Sequence, residues 1–280
     1  MPHDFNQQVI EEFRANGGRV GGPFEGGRLL LLTTTGARTG AAHTTPLAYL
    51  PDGERVLVIA SAGGSPRHPH WYRNLVADPR VTVENGVFTL QAKAVVLEGA
   101  ERDAAFARAV ETDPGWADYA SRSGRTLPVV ALEPVPGVMP TPAASSFGQA
   151  LKAVHDAFRR ELGLIRQEIA AAGPGLGTQL RVNCLSVCGN LHHHHVMEDS
   201  GMFPSLAGRR PELAPVIERL GEEHRRIAEL VARLREVVSA EGAEPAAVLA
   251  EVDRLAGELE EHLTYEEEQL IPVLDGAATA

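Results

Sequence analysis

The last 130 or so residues contain one pattern twice: a lone histidine, then a His-x-x-x-Glu pair on the following apolar segment. His155 precedes His194 and Glu198, and His224 precedes His262 and Glu266. Each falls on an apolar stripe of helical period. Leu151, Phe158, Leu162 and Ile165 accompany His155, and Leu180, Cys184, Val187 and Leu191 lead to His194. Leu220, Ile227, Val231 and Leu234 surround His224, and Val252, Leu255, Leu259 and Leu270 surround His262. Spacings of three and four give four amphipathic helices suited to an up-down bundle. Burying that stripe carries the ligand-type side chains inward, and an unpaired carboxylate there costs several kcal/mol. Four helices with one such set per half can hold two metal ions, and imidazole with carboxylate suits iron or manganese.

Two choices stay open within this pattern. His192, His195 and Asp199 run one step around the same helix, so the ligand pair is His194 with Glu198 or His195 with Asp199. Alignment with Leu180, Cys184, Val187 and Leu191 favours the first. A small rotation exchanges Glu266 for Glu267. The surplus histidines are assigned to a solvated or outer face.

At 280 residues, 44% hydrophobic and 22% charged, the chain is expected to form two globular domains. Its net charge of −11 offers no basic stripe, which excludes nucleic acid as a partner. The first 140 residues carry about −2 of that charge and the last 140 about −9, in keeping with two separately composed units. No apolar run reaches membrane-spanning length, and MPHDFNQQVIEEF lacks the layout of a signal peptide. A cytoplasmic protein without a membrane span is expected. Cys184 and Cys188, one helical turn apart, are read as small core residues.

The stretch EPVPGVMPTPAASSF contains four prolines, which block both helix and sheet ladders. The expected layout is therefore a domain over 1–134, a linker over 135–147 and the bundle over 148–276. In the first domain, β-type runs are read at 28–35, 44–49, 55–60, 81–84, 88–97 and 127–132, with helices at 4–16, 71–77 and 101–111. Many strands with few short helices give a small barrel, and the fold class is α+β.

The second domain resembles the hemerythrin-like HHE cation-binding family. His155, the run LHHHHVMEDSGMFPSL from Leu191, EEHRRIAEL around His224 and EHLTYEEEQLIPVL from Glu261 carry the likeness. The resemblance implies a di-iron centre bridged by two carboxylates, with His155, His194, Glu198, His224, His262 and Glu266 as ligands. The oxygen-carrying members have a further histidine one turn beyond His224, where this chain has Ala228. An open coordination position is expected there, favouring catalysis or sensing over simple oxygen carriage.

In the first domain, LLLLTTTGARTG from Leu29 turns sharply through Gly36 and Gly40, forming a candidate backbone nest for an anion. ASAGGSPRHPHWYRNL from Ala60 places a Gly-rich turn before a helix, and DPGWADYASRSGRTLPVVAL follows from Asp113. In order and spacing the three segments resemble the deazaflavin-dependent nitroreductase family, whose fold is a split β-barrel. The resemblance implies an 8-hydroxy-5-deazaflavin coenzyme, with FMN or no cofactor as alternatives. Its phosphate tail would lie at Gly36, Arg38, Thr39 and Gly40 and its ring near Ser61, Ala62 and Gly63, with Trp71 and Asn74 supporting the pocket. Ala62 stands where a lysine or asparagine is common. Trp116 and Tyr119 are either substrate-pocket residues, with Tyr119 donating a proton, or a pair of core aromatics.

The combined expectation is an oxidoreductase pairing hydride transfer to a quinone or nitro compound with a di-iron bundle that binds or reduces oxygen, possible as a homodimer. Two other readings stand beside it: a sensor bundle attached to a reductase, and a di-iron oxygenase with a cofactor-free barrel used for dimerisation.

Overall fold

Strands whose successive residues are all apolar must bury both faces, because neighbouring side chains point to opposite sides. LLLL at 29–32 and VVAL at 129–132 do so in the computed structural model, which describes residues 3–276 and divides after Ala143. The first unit contains α1 (His3–Ala15), β1 (Leu29–Thr35), β2 (Ala42–Ala48), β3 (Leu50–Asp52), β4 (Arg55–Ile59), α2 (His70–Ala77), β5 (Arg80–Glu84) and β6 (Phe88–Val96). It continues through α3 (Gly99–Thr112), α4 (Gly115–Ser123), β7 (Val129–Pro134) and β8 (Thr141–Pro142).

The strands form one antiparallel sheet in the order β2-β1-β5-β6-β7-β4-β3, with β8 added to β6. β2 and β3 lie at opposite ends of that order, yet only Tyr49 separates them in the chain. The sheet therefore curls until its edges approach, as a barrel requires. Leu30, Leu32, Val58 and Val130 alternate into a cluster with Trp71 and Leu75 of α2. Their neighbours Leu57, Ile59, Val129 and Ala131 pack instead with Ala105 and Ala109 of α3, and Leu29 and Leu31 pack with α1.

Several details differ from the sequence reading. α4 and the short β3 were not expected. β8 lies inside the stretch read as a linker over 135–147, where Thr141 pairs with Thr89 and Pro142 with Phe88. Two residues at a sheet margin tolerate a proline that an interior strand would reject.

The second unit consists of α5 (Phe147–Ala171), α6 (Thr178–Met197), a π-turn (Glu198–Met202), α7 (Phe203–Arg209), α8 (Ala214–Ser239) and α9 (Pro245–Gly276). α5 starts where the Ser146 hydroxyl accepts the Gln149 N–H at 3.2 Å. After Met197 the chain does not leave the helix but widens into the π-turn and continues as α7. Likewise α9 runs past Pro272. α5, α6, α8 and α9 share one apolar core, including Ile165, Leu234, Val252 and Leu255. Cys184 and Cys188 are buried and form no disulfide, and burial pushes the Cys188 thiol up to about 11. Among the described residues no helix is long and apolar enough to cross a membrane.

Candidate metal centre and coenzyme turn

The apolar core of the second unit gives way to polar atoms at one level. Leu191, Ile227 and Leu259 each lie one turn from a buried imidazole, of His195, His224 and His262 respectively. Two groups of ligand-type side chains assemble there: His155, His194, Glu198 and Glu266 in one, His195, His224 and His262 in the other. Within each group the ligand atoms lie within 4.8 Å of one another. All six residues expected from the sequence are present.

His195 is the residue the sequence reading assigned elsewhere. It is 6% exposed and stacks on His224 with ring centroids 4.0 Å apart. Ala228, whose replacement of a histidine suggested an open position, is exposed on α8. The third nitrogen of the second group comes from α6 instead. Adjacent residues on that helix thus serve different groups, His194 the first and His195 the second.

The two carboxylates join the groups. Glu198 presents Oε1 at 3.3 Å from His194 Nε2 and Oε2 at 3.6 Å from His224 Nε2. Glu266 Oε2 lies 3.4 Å from His155 Nε2 and 3.6 Å from His262 Nε2. The π-turn begins at Glu198, whose N–H is shared by the carbonyls of His194 and His195. Such turns recur at functional sites because an extra residue re-aims side chains. Here Glu198 points inward while Asp199 points outward.

Three further carboxylates orient the imidazoles from behind. His155 Nδ1 pairs with Glu267 Oε1 at 3.0 Å, His224 Nδ1 with Asp199 Oδ1 at 2.8 Å, and His262 Nδ1 with Glu223 Oε2 at 3.0 Å. Arg159 donates to Glu267 at 2.6 Å and Arg219 to Glu223 at 2.8 Å. A carboxylate accepting the Nδ1 proton leaves the Nε2 lone pair directed at the centre, as in metal sites generally. The two open choices therefore divide by depth: Glu198 and Glu266 are inner, Asp199 and Glu267 outer.

Five Nε2 atoms, of His155, His194, His195, His224 and His262, and all four oxygens of Glu198 and Glu266 are buried without a hydrogen-bond partner. Burial, reinforced by Glu266, pushes the Glu198 carboxyl well above the usual carboxylate range. Burial and the neighbouring imidazoles push His194 down to about 2 and His195 lower still. Burial also opposes the charged form of Glu267, but His155 and Arg159 outweigh it and hold that carboxylate at about 2. Nine unsatisfied atoms of two ligand types, turned toward one another in a dry interior, fit a cation site and little else.

In the first unit the motifs meet through side chains. Asn74 of α2 donates to Thr34 Oγ1 at 3.0 Å and accepts the Ala37 N–H at 3.1 Å, tying the second motif to the first. The expected backbone nest is different in form. The Gly36 and Gly40 N–H groups bond within the turn, at 2.7 Å to Ala41 O and 2.8 Å to Gly36 O, and Ala41 N–H bonds Thr39 Oγ1 at 3.3 Å. With those amides engaged, Arg38 and the Thr39 hydroxyl are the exposed groups that can meet an anion. Gly36 leaves room for its neighbours: a Cβ there would stand 2.7 Å from Thr39 Oγ1 and 2.9 Å from His43 Nε2, so those side chains would have to shift.

Ser61, Ala62 and Gly63 lie on a surface turn, with Trp71 buried in the barrel cluster behind. Trp116 and Tyr119 of α4 meet edge to face at 5.8 Å and are half-buried against the α3 cluster. Arg122 covers the Tyr119 ring at 4.9 Å and closes on Gly64 of that turn.

Known proteins resemble each unit. Residues 6–134 match the family described as F420H(2)-dependent quinone reductase, and residues 147–274 match the Hemerythrin HHE cation binding domain. An F420H(2)-dependent quinone reductase of Mycobacterium tuberculosis is 39% identical over 124 residues, 43% of this chain and 83% of the relative. A putative F420H(2)-dependent quinone reductase of the same species is 33% identical over 105 residues, 38% of this chain and 88% of the relative. Among solved structures, an F420-H2 dependent reductase is 38% identical, covering 38% of this chain and 94% of its own, with a TM-score of 0.36. Through its first unit the chain belongs to the F420H(2)-dependent quinone reductase family of oxidoreductases, and through its second it carries a hemerythrin HHE cation-binding domain.

Proposed function

We propose that the chain is a two-part redox protein: the barrel binds a reduced deazaflavin and passes its hydride to a quinone, and the bundle holds two irons that bind or reduce oxygen or a related oxidant. The observation that carries the bundle's half is the set of nine orphaned inner atoms, all oxygen or imidazole nitrogen. The barrel's half rests on the named relatives and on the three motifs, the second of which Asn74 ties to the first and Arg122 of the third approaches at Gly64.

When bound, iron supplies one-electron chemistry and exchangeable coordination positions, and the deazaflavin supplies a hydride. The rest belongs to the chain. His155, His194, His195, His224, His262, Glu198 and Glu266 would hold the irons through the inward nitrogens and oxygens of the two groups. The group with two histidines offers fewer nitrogens to a metal, and His194, whose side chain is 13% exposed, is its edge toward solvent. Glu267, Asp199 and Glu223 hold their imidazoles in one tautomer through any change of iron charge. On the barrel, Arg38 and Thr39 hold the coenzyme's anionic tail, and Ser61, Ala62 and Gly63 lie along its ring. Trp71 and Asn74 support the pocket, Asn74 by holding the Thr34–Ala37 segment. Tyr119 Oη gives a proton to the quinone oxygen once hydride has arrived, completing a two-electron reduction.

An anaerobic titration with reduced deazaflavin and a soluble quinone tests the barrel. Stoichiometric oxidation of the coenzyme with quinone consumed one for one is expected, slowed in Tyr119→Phe. Absence of coenzyme binding would remove the barrel's enzymatic role.

A further inference from the structure

A single guanidinium holds the turn on which the coenzyme ring is placed. Arg125 follows α4 and reaches back across the unit to the segment 60–68. Its Nη2 donates to Ala60 O at 2.8 Å, Ser61 O at 3.2 Å and Arg67 O at 3.4 Å, and its Nε to Ser65 O at 3.2 Å. Nη1 lies 3.1 Å from His68 Nδ1. Four carbonyls and an imidazole are thus gathered by one planar fork, a number of directed donors that only arginine offers.

That segment is strained where it meets the solvent. Ala62 has φ of 50°, the one non-glycine residue with positive φ among those described, and Gly63 and Gly64 follow at 64° and 83°. An L side chain takes the left-handed conformation only where its surroundings impose it, and such residues gather at functional sites. Two backbone hydrogen bonds, Gly64 N–H to Ser61 O and Ser65 N–H to Ala62 O, close the turn from within. Arg125 grips the carbonyls on either side of it.

We propose that Arg125 is a positioning residue for hydride transfer: it preorganises the 60–68 segment, Ala62 included, in the conformation that receives the deazaflavin ring. The proposal rests on the reading of the barrel given above, and its first half holds without it. Lysine, with its donors on one nitrogen, can at best replace Nη2 and leaves the Nε bond to Ser65 O and the Nη1 contact with His68 unmade, so charge alone does not replace the fork.

The test uses the full chain with Arg125→Lys and Arg125→Ala, read two ways. Amide hydrogen exchange is measured without coenzyme, and affinity for oxidised deazaflavin is measured by fluorescence. Both variants are expected to exchange roughly tenfold faster over 61–68, with the sheet amides unchanged, and to bind deazaflavin roughly tenfold more weakly. Guanidinium added at tens of millimolar should restore part of the affinity of Arg125→Ala, and methylammonium should restore none. Should Arg125→Ala fail to fold, Arg125→Lys carries the same comparison. Unchanged exchange over 61–68, or faster exchange with undiminished affinity, overturns the proposal, as does loss of protection spread evenly over the barrel. A wild-type chain that does not bind deazaflavin overturns the barrel reading and the coenzyme half of the proposal, while the exchange comparison still decides whether Arg125 holds the turn.

Discussion

Ligand identity in the bundle is decided by side chains one residue apart, where helical twist matters more than residue type. In the run from His192 to His195 both stripes carry the same amino acid, so spacing alone could not tell a ligand from an outer neighbour. The sequence reading paired His194 with Glu198 and sent His195 outward; in the structure both imidazoles join the buried groups, His194 beside Glu198 and His195 beside His224. Glu223 was also missed, because its partner His262 is 39 residues away. His195→Ala should lower bound metal from about two to about one per chain with the helices intact, measured by elemental analysis and circular dichroism. Asp199→Asn, which removes the carboxylate behind His224, should weaken metal binding about 10–100-fold. Glu266→Leu should act with opposite signs in two states. It should stabilise the metal-free chain by about 1–4 kcal/mol, since it removes a buried carboxylate with no hydrogen-bond partner, and abolish stabilisation by added iron. Urea unfolding with and without metal reads both; a destabilised metal-free variant would contradict the view that this carboxylate is tolerable only beside a cation.

Elements with a strong period were legible, and those set by pairing or caps were not. The four bundle helices and six strands follow from stripes of apolar residues. α4 was read only as a motif, although Asp113 accepts the Gly115 N–H at 2.8 Å at its start and Gly124 closes it with φ of 62°. β3 and β8 are too short to carry a period; they exist because partners in β4 and β6 complete them. One close approach fixes how α1 meets the sheet. Gly86, between β5 and β6, has φ of 91°, and a Cβ there would stand 2.6 Å from both Gly17 O and Gly18 Cα. No flexible side chain lies in the way to yield. Gly86→Ala should therefore destabilise the first unit by about 2 kcal/mol or more, combining left-handed strain with a backbone clash. Thermal unfolding checks this, and a change below about 0.5 kcal/mol would contradict the packing described.

At the scale of the whole chain, two units with separate cores match two families, a quinone reductase and a cation-binding domain. Ligand that binds only the folded form raises stability by mass action, about 4 kcal/mol at a thousand times its dissociation constant. Calorimetry should show iron raising the transition of the bundle and deazaflavin that of the barrel. The change of composition at the proline-rich stretch made the two-unit plan visible, whereas the curl of the sheet was not, because it depends on β2 and β3 joining opposite edges. The most direct check of the proposed cation pair is the metal content of the full chain purified from iron-supplemented cells, with its optical spectrum recorded before and after oxygen. About two irons per chain and a spectrum that changes on oxygenation are expected; a single zinc, or a metal-free chain whose spectrum ignores oxygen, would contradict it.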